Sequence, residues 1–218
     1  MAERLCFFVN NKNEIEEKYV SFDYVKGMAF SQKIKCAASL QNSIKAKYPG
    51  CKSIEISSKS SIELGRSLSA FNLKLDKYFV ESVFQSSKVF DGIGQFEFLK
   101  DSSPLEAKKY VRENGNNRLI CFKYNGVEYP LNPKSAFYDW IYINALNKSK
   151  WKDEILEYDV FSDIEFNDKK SINCQARAVA IYVSIRRNGK CDYYLSAFEK
   201  FKELYKESIS GQMSLFDL

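Results

Sequence analysis

The chain has 218 residues, 45% apolar and 28% charged, so it can bury a real core beneath a solvated surface, in one generous domain or two small ones. It contains no histidine, which excludes Ser-His-Asp and Cys-His catalysis, zincin sites and every imidazole acid or base. The net charge of +5, mostly lysine, permits contact with nucleic acid without demanding it, and six cysteines without a CxxC pair lead to an expectation of reduced thiols and no metal site.

Residues 4–9 form a short aromatic and β-branched run and read as a strand, with 10–13 as its turn and 14–18 as the start of a helical turn. Residues 31–48 carry Ile34, Ala37, Leu40 and Ile44 on one face and lysines opposite, an amphipathic helix stopped by Pro49-Gly50. Alternation of Ile54 and Ile56 with polar residues predicts a strand over 53–57. Residues 78–90 are apolar enough for a buried helix closed by Asp91-Gly92. Ser103-Pro104-Leu105-Glu106 opens another, with a serine cap, a proline in the first turn and an early acid. Residues 118–131 read as a hairpin turning at Asn125-Gly126. An aromatic-rich helix follows over 135–148. After a loop at 160–171 come helices at 172–187 and 196–208. The fold class expected is α+β, a predominantly helical single domain with a few short strands.

No run approaches the roughly 18 apolar residues of a membrane-spanning helix. The opening MAERLC lacks the apolar stretch of a secretory signal, so a cytoplasmic location is expected.

The sharpest constellation lies in VESVFQSSKVF. On a helix, Glu81, Gln85 and Lys88 fall within about 60° of one another, among Phe79, Val80, Val83, Phe84 and Phe90. Charges in so apolar a segment need partners. They form either a surface polar stripe or a concave site in which burial and the opposite charge tune two protonation states.

That segment resembles the central motif of the NADAR family, N-glycosidases that cut bonds to ADP-ribose or related ribosides. GRSLSAFNL upstream, SPLEAKK, FYDWIYINALNKSK, and DIEF followed by SIN resemble the family's further landmarks in order. SQKIKCAASLQNSI, PKSAFYDWIYINAL and DIEFNDKKSINCQAR resemble a branch of antitoxins paired with DarT-type toxins, which place ADP-ribose on guanine in DNA. Two departures stand out: Ser82 replaces a frequent histidine, and Phe166-Asn167 stands where the family tends to have Trp-Gly.

The resemblance implies an NADAR-like catalytic domain over 61–208, an N-terminal extension over 1–60 packed on it, and a tail over 209–218. It implies an N-glycosidase that removes ADP-ribose from DNA as an antitoxin, with no cofactor. Glu81 and Lys88 are the expected catalytic pair. Glu81 steers a water or moves protons at the sugar, and Lys88 serves as proton donor or Schiff-base nucleophile. Gln85 is expected to orient a ribose hydroxyl. Ser69, Asn72, Asp163 and Asn173 are expected to bind ribose or phosphate, though each also suits a cap, and Trp140 is expected either to stack on a base or to fill core. Within the same fold, small ribosides or ADP-ribosylated protein are alternative substrates; a module that only binds ADP-ribose or blocks its toxin is the non-enzymatic alternative. The expected partners are ADP-ribosylated DNA and a cognate DNA ADP-ribosyltransferase toxin; residues 212–216 (QMSLF) resemble a clamp-binding peptide, so the tail is expected either to bind the bacterial sliding clamp or to fold back on its own core.

Overall fold

β1 (Ala2–Val9) is buried from Leu5 through Val9 without alternation, the pattern of a strand covered on both faces. The computed structural model, which describes residues 1–27 and 29–205, shows the cover. Cys6 and Phe8 pack with Cys36, Ala37, Leu40 and Ile44 of a helix on one side. Leu5, Phe7 and Val9 join the main core on the other. β2 (Ile15–Phe22) pairs antiparallel with β1 from Ala2↔Phe22 to Val9↔Ile15. The helical turn expected at 14–18 is therefore a strand: Val20 and Phe22 face inward while Tyr19 and Ser21 face out, a period of two. The turn between the strands is held by Asn10, whose Oδ1 accepts the Lys12 and Glu14 amides at 2.9 and 3.0 Å.

α1 (Phe30–Lys47) is the expected amphipathic helix, with Ile34 at its exposed edge. β3 (Ser53–Glu55) and the short α2 (Glu63–Ser67) follow. Gly65 of α2 lies so close to β3 that a Cβ there would stand 2.1 Å from the Glu55 carbonyl oxygen. β4 (Lys74–Leu75) and β5 (Tyr78–Phe79) form a small hairpin leading directly into α3 (Val80–Ser86).

The helix expected over 78–90 is thus a strand, one buried two-turn helix, and a second strand, β6 (Lys88–Phe90). Its early end has a local cause. The Ser86 and Ser87 hydroxyls both donate to the Val83 carbonyl, at 3.0 and 2.7 Å, and compete with the helical ladder. Lys-Val-Phe then pairs with a neighbouring strand. β7 (Gly94–Gln95) comes next, and α4 (Pro104–Asn114) starts on a full capping box between Ser103 and Glu106. β8 (Leu119–Tyr124) and β9 (Val127–Tyr129) make the expected hairpin, with Asn125 and Gly126 both at positive φ, and the sheet order is β7-β6-β8-β9.

α5 (Ala136–Lys148) is nearly all buried. The loop expected at 160–171 begins instead with β10 (Val160–Ser162), which is antiparallel to β1 and parallel to β3, completing a sheet of order β2-β1-β10-β3. α6 (Gln175–Arg187) starts three residues later than expected and packs on this sheet. In place of one final helix stand α7 (Cys191–Leu195), α8 (Phe198–Phe201) and a 3-10 turn, Lys202–Tyr205. The architecture is α+β. Among the described residues no helix is long and apolar enough to cross a membrane.

Candidate active site

Between α3, α4, the loop after β10 and the segments that flank α2 lies a cleft of about 420 Å³, a size ordinary for small-molecule sites. Of the residues singled out in the sequence, Ser69, Glu81, Gln85, Lys88, Asp163 and Asn173 line it. Asn72 and Trp140 do not. The Asn72 side chain donates to the Arg66 carbonyl at 2.8 Å and closes the turn that carries Ser69. Trp140 points to the other side of α5, its ring 5.8 Å from Phe198 and 5.4 Å from Phe201. It fills the core there.

α3 is anchored where the site needs it. The Glu81 amide donates to the Ala70 carbonyl at 3.0 Å, and the buried Ser82 hydroxyl donates to the Ser102 carbonyl at 2.9 Å. Ser82, in the place of the frequent histidine, is outside the cleft lining and serves as a tether. The Gln85 amide bridges two charges: its Nε2 donates to Glu81 Oε1 at 2.9 Å and its Oε1 accepts from Lys88 Nζ at 2.8 Å. Because Lys88 has left the helix for β6, it reaches Gln85 across a helix-to-strand corner rather than along a helical stripe.

Lys88 Nζ also lies 4.8 Å from the Phe84 ring centroid. Burial lowers the pKa of its ammonium, Glu81 opposes that, and Lys108 adds to it. Lys108 of α4 completes the corner, with its Nζ 3.6 Å from Glu81 Oε1 and 5.5 Å from the Phe71 ring. Sequence reasoning quoted the segment of Lys108 without assigning it a role, and it passed over Phe71, one residue before Asn72.

The opposite wall is built from the loop after β10. Asp163 Oδ1 accepts the Glu165 amide at 3.0 Å, and the Gln175 side chain bonds the same carboxyl. Burial first, and the neighbouring Glu55 second, push Asp163 up to about 8. Glu165 is tied to Lys33 at 2.9 Å and Lys59 at 3.1 Å, and Lys59 also lines the cleft. Phe166 lines it too, packed at 6.5 Å against Phe7, so an aromatic face stands where the family tends to have tryptophan. Asn173 Oδ1 accepts from the Ser135 hydroxyl at 2.8 Å. Arg177 bonds that hydroxyl and pairs with the buried Asp139 at 2.8 Å, and Tyr205 donates to Asp139 at 2.6 Å. Among the described residues no cluster of cysteine, aspartate and glutamate could hold a metal ion.

Carboxylate, amide and amine thus stand on one wall of the cleft, and an acid drawn toward its neutral form on the other, in an α+β scaffold. The family model described as the DarT1-associated NADAR antitoxin matches residues 2–214, and the chain belongs to that family. A search of curated proteins found no match.

Proposed function

We propose that the protein is an N-glycosidase that removes ADP-ribose from modified nucleobases, guanine in DNA, and so reverses a DarT-type toxin as its antitoxin. The observation that carries this reading is the Glu81–Gln85–Lys88 chain at the wall of the cleft. Breaking a ribose C1–nitrogen bond passes through an oxocarbenium-like state. A carboxylate near C1 stabilises the growing positive charge, the role this reading gives to Glu81. A lysine with a lowered pKa keeps more free amine than an ordinary one. Lys88 Nζ adds at C1 as the C1–base bond breaks, and the amine's proton goes to the leaving base by way of Glu81. Opening of the ring gives an imine, and water then cleaves it to free ADP-ribose and the original amine. Gln85 holds both charged groups in register. Lys108, 3.6 Å from Glu81 Oε1, helps to hold that carboxylate at the cleft wall.

The partners that go with this reading are ADP-ribosylated DNA and a cognate toxin. The clamp-like residues 212–216 lie outside the described residues.

An oligonucleotide carrying ADP-ribose on guanine tests the proposal, with borohydride added in a parallel reaction. Free ADP-ribose and intact DNA by mass spectrometry, with a reduced adduct on the peptide containing Lys88, are expected. Release without an adduct replaces the amine step by a water steered by Glu81. Binding of ADP-ribose without release makes the protein a reader, and no release or binding sends the search to small ribosides.

A further inference from the structure

Glu55 belongs to no step above, yet three hydrogen bonds meet its carboxyl. It lies on β3, 2% exposed, behind the wall that presents Asp163. Its Oε1 accepts from the Ser57 hydroxyl at 2.6 Å and from the Ile164 amide at 2.8 Å, and its Oε2 accepts from the Ser162 hydroxyl. The direction of these bonds is set by what lies behind them. Ser162 Oγ already accepts from Gln41 Nε2 at 2.8 Å, and Gln41 Oε1 accepts from Ser53 at 2.8 Å, so the Ser162 proton points at Glu55. Ser57 Oγ accepts from the Lys59 amide at 3.1 Å, so its proton points there too. Burial raises the pKa of Glu55 as it does that of Asp163, but three donors, the Ile164 amide and the Ser162 and Ser57 hydroxyls, oppose the rise at Glu55 against two, the Glu165 amide and Gln175, at Asp163, so Glu55 is the better held as an anion.

Two adjacent buried carboxyls do not both ionise when no cation is shared between them. The cations near the pair have partners of their own, Arg4 among them, whose Nε donates to the Ile164 carbonyl at 3.2 Å. Glu165 is occupied with Lys33 and Lys59, and Arg177 with Asp139. Tyr138 and Tyr142 of α5 and Cys174 before α6 are all pushed well above their usual ranges by burial, with Asp163 contributing. Cys6 of β1 is pushed up to about 12 by burial first and Glu55 second, against Arg4.

We propose that Asp163 meets its ligand as a neutral carboxylic acid, donating a hydrogen bond to a ligand oxygen, and that Glu55 is the positioning residue that keeps the proton there. The donor role rests on the assignment of the cleft to an ADP-ribosyl ligand; the protonation state does not. The arrangement suits an anionic ligand rich in acceptor oxygens, since an ionised Asp163 would repel phosphate and have no hydrogen to give to a ribose oxygen. Its rise to about 8 agrees with this.

Carboxyl ¹³C NMR on aspartate-labelled protein tests the first half without any ligand, with Asp163→Asn assigning the signal. The Asp163 carbon is expected at its protonated position at pH 7, and Glu55→Gln is expected to move the midpoint down by about one unit or more. An ionised Asp163 in wild type at pH 7, or a midpoint unmoved in Glu55→Gln, overturns the proposal. Calorimetry with ADP-ribose from pH 6 to 9.5 tests the second half. Wild-type affinity is expected to fall about tenfold per pH unit above the midpoint. Asp163→Asn, which keeps a neutral donor, is expected to bind within about tenfold of wild type at pH 7 and to show no such fall. Binding that is flat in pH for wild type, or lost in folded Asp163→Asn, overturns the donor role. Failure of ADP-ribose to bind wild type at any pH overturns it together with the functional reading, and the NMR titration tells these cases apart.

Discussion

On one wall of the cleft an acid and an amine stand either side of an amide that bonds both, with a second lysine 3.6 Å from the acid. On the other, two buried acids feel each other's charge, Glu55 bonded by two hydroxyls and a backbone amide and Asp163 by a backbone amide and the Gln175 side chain. The first wall holds opposite charges on either side of one amide. The second removes a charge. Both use burial as the lever, and the neighbours decide the direction: Lys88 is drawn toward its neutral amine and Asp163 toward its neutral acid. On the proposed reading, a cleft that admits a diphosphate while holding a carboxylate ready for the sugar has reason to build its acids in these two ways.

The largest effect is expected on the first wall. Lys88→Ala and Glu81→Gln are each expected to lower the rate of ADP-ribose release by about 10²–10⁴. Lys88→Ala also abolishes the borohydride adduct, and circular dichroism checks that both variants fold. If either retains full activity, the division of labour between the walls is misassigned. Gln85→Leu separates acid from amine without removing either and is expected to cost about 10- to 100-fold in turnover. The test is whether the pH–rate profile moves with it, because an uncoupled Lys88 changes its own titration and a merely structural glutamine does not.

The second wall is probed through stability. Asp163 has a folded pKa of about 8 against an ordinary 3.8, so between those values the folded chain binds more protons than the unfolded one. Its contribution is fully present below about pH 4 and is lost as the pH rises toward 8. Asp163→Asn is expected to flatten that part of the denaturation midpoint's pH dependence, and an unchanged slope in urea titrations at pH 5 and 8 would contradict it. Gly65→Ala presses on the carbonyl of Glu55 from the other side and is expected to cost about 1–3 kcal/mol by thermal unfolding. The smallest effect is expected at Trp140. Trp140→Phe should leave ADP-ribose affinity within about twofold, since its ring contacts are with Phe198 and Phe201.

What could be read from sequence differs between the walls for a physical reason. The first lies within a few turns of local chain, and its three polar residues interrupt an apolar run, so the pattern itself exposes them. The helix assigned to all of 78–90 still failed at Ser86 and Ser87, whose back-bonding to Val83 is a competition that periodicity does not register. The capping box at Ser103, the Asn125-Gly126 turn and α1 were legible because each depends on nearest neighbours. Of the second wall, Asp163 and Asn173 were named through the family resemblance, but Glu55 was not. Glu55 occupies an outwardly ordinary polar place in an alternating strand. Its meaning comes from a three-residue strand more than a hundred positions away, too short to announce itself beside residues 160–171. Likewise Asn72 and Trp140 occupied credible places in the motif, and only the turn at Arg66 and the aromatic cluster around α8 show what holds them.

The pairing of β1 with β10 carries a consequence for timing. Residues 7 and 8 acquire their partners only at 161 and 160, and β3 acquires its own from the same three residues. During synthesis the early strands therefore emerge with one sheet edge empty, and at about 5–20 residues per second they wait many seconds for β10. Until it arrives, Glu55 lacks Ser162 and Ile164, and the loop bearing Asp163 does not exist. On the proposed reading, a chain terminated before Val160–Ser162 would give a cell no protection, because the sheet and the second wall of the cleft would both be missing.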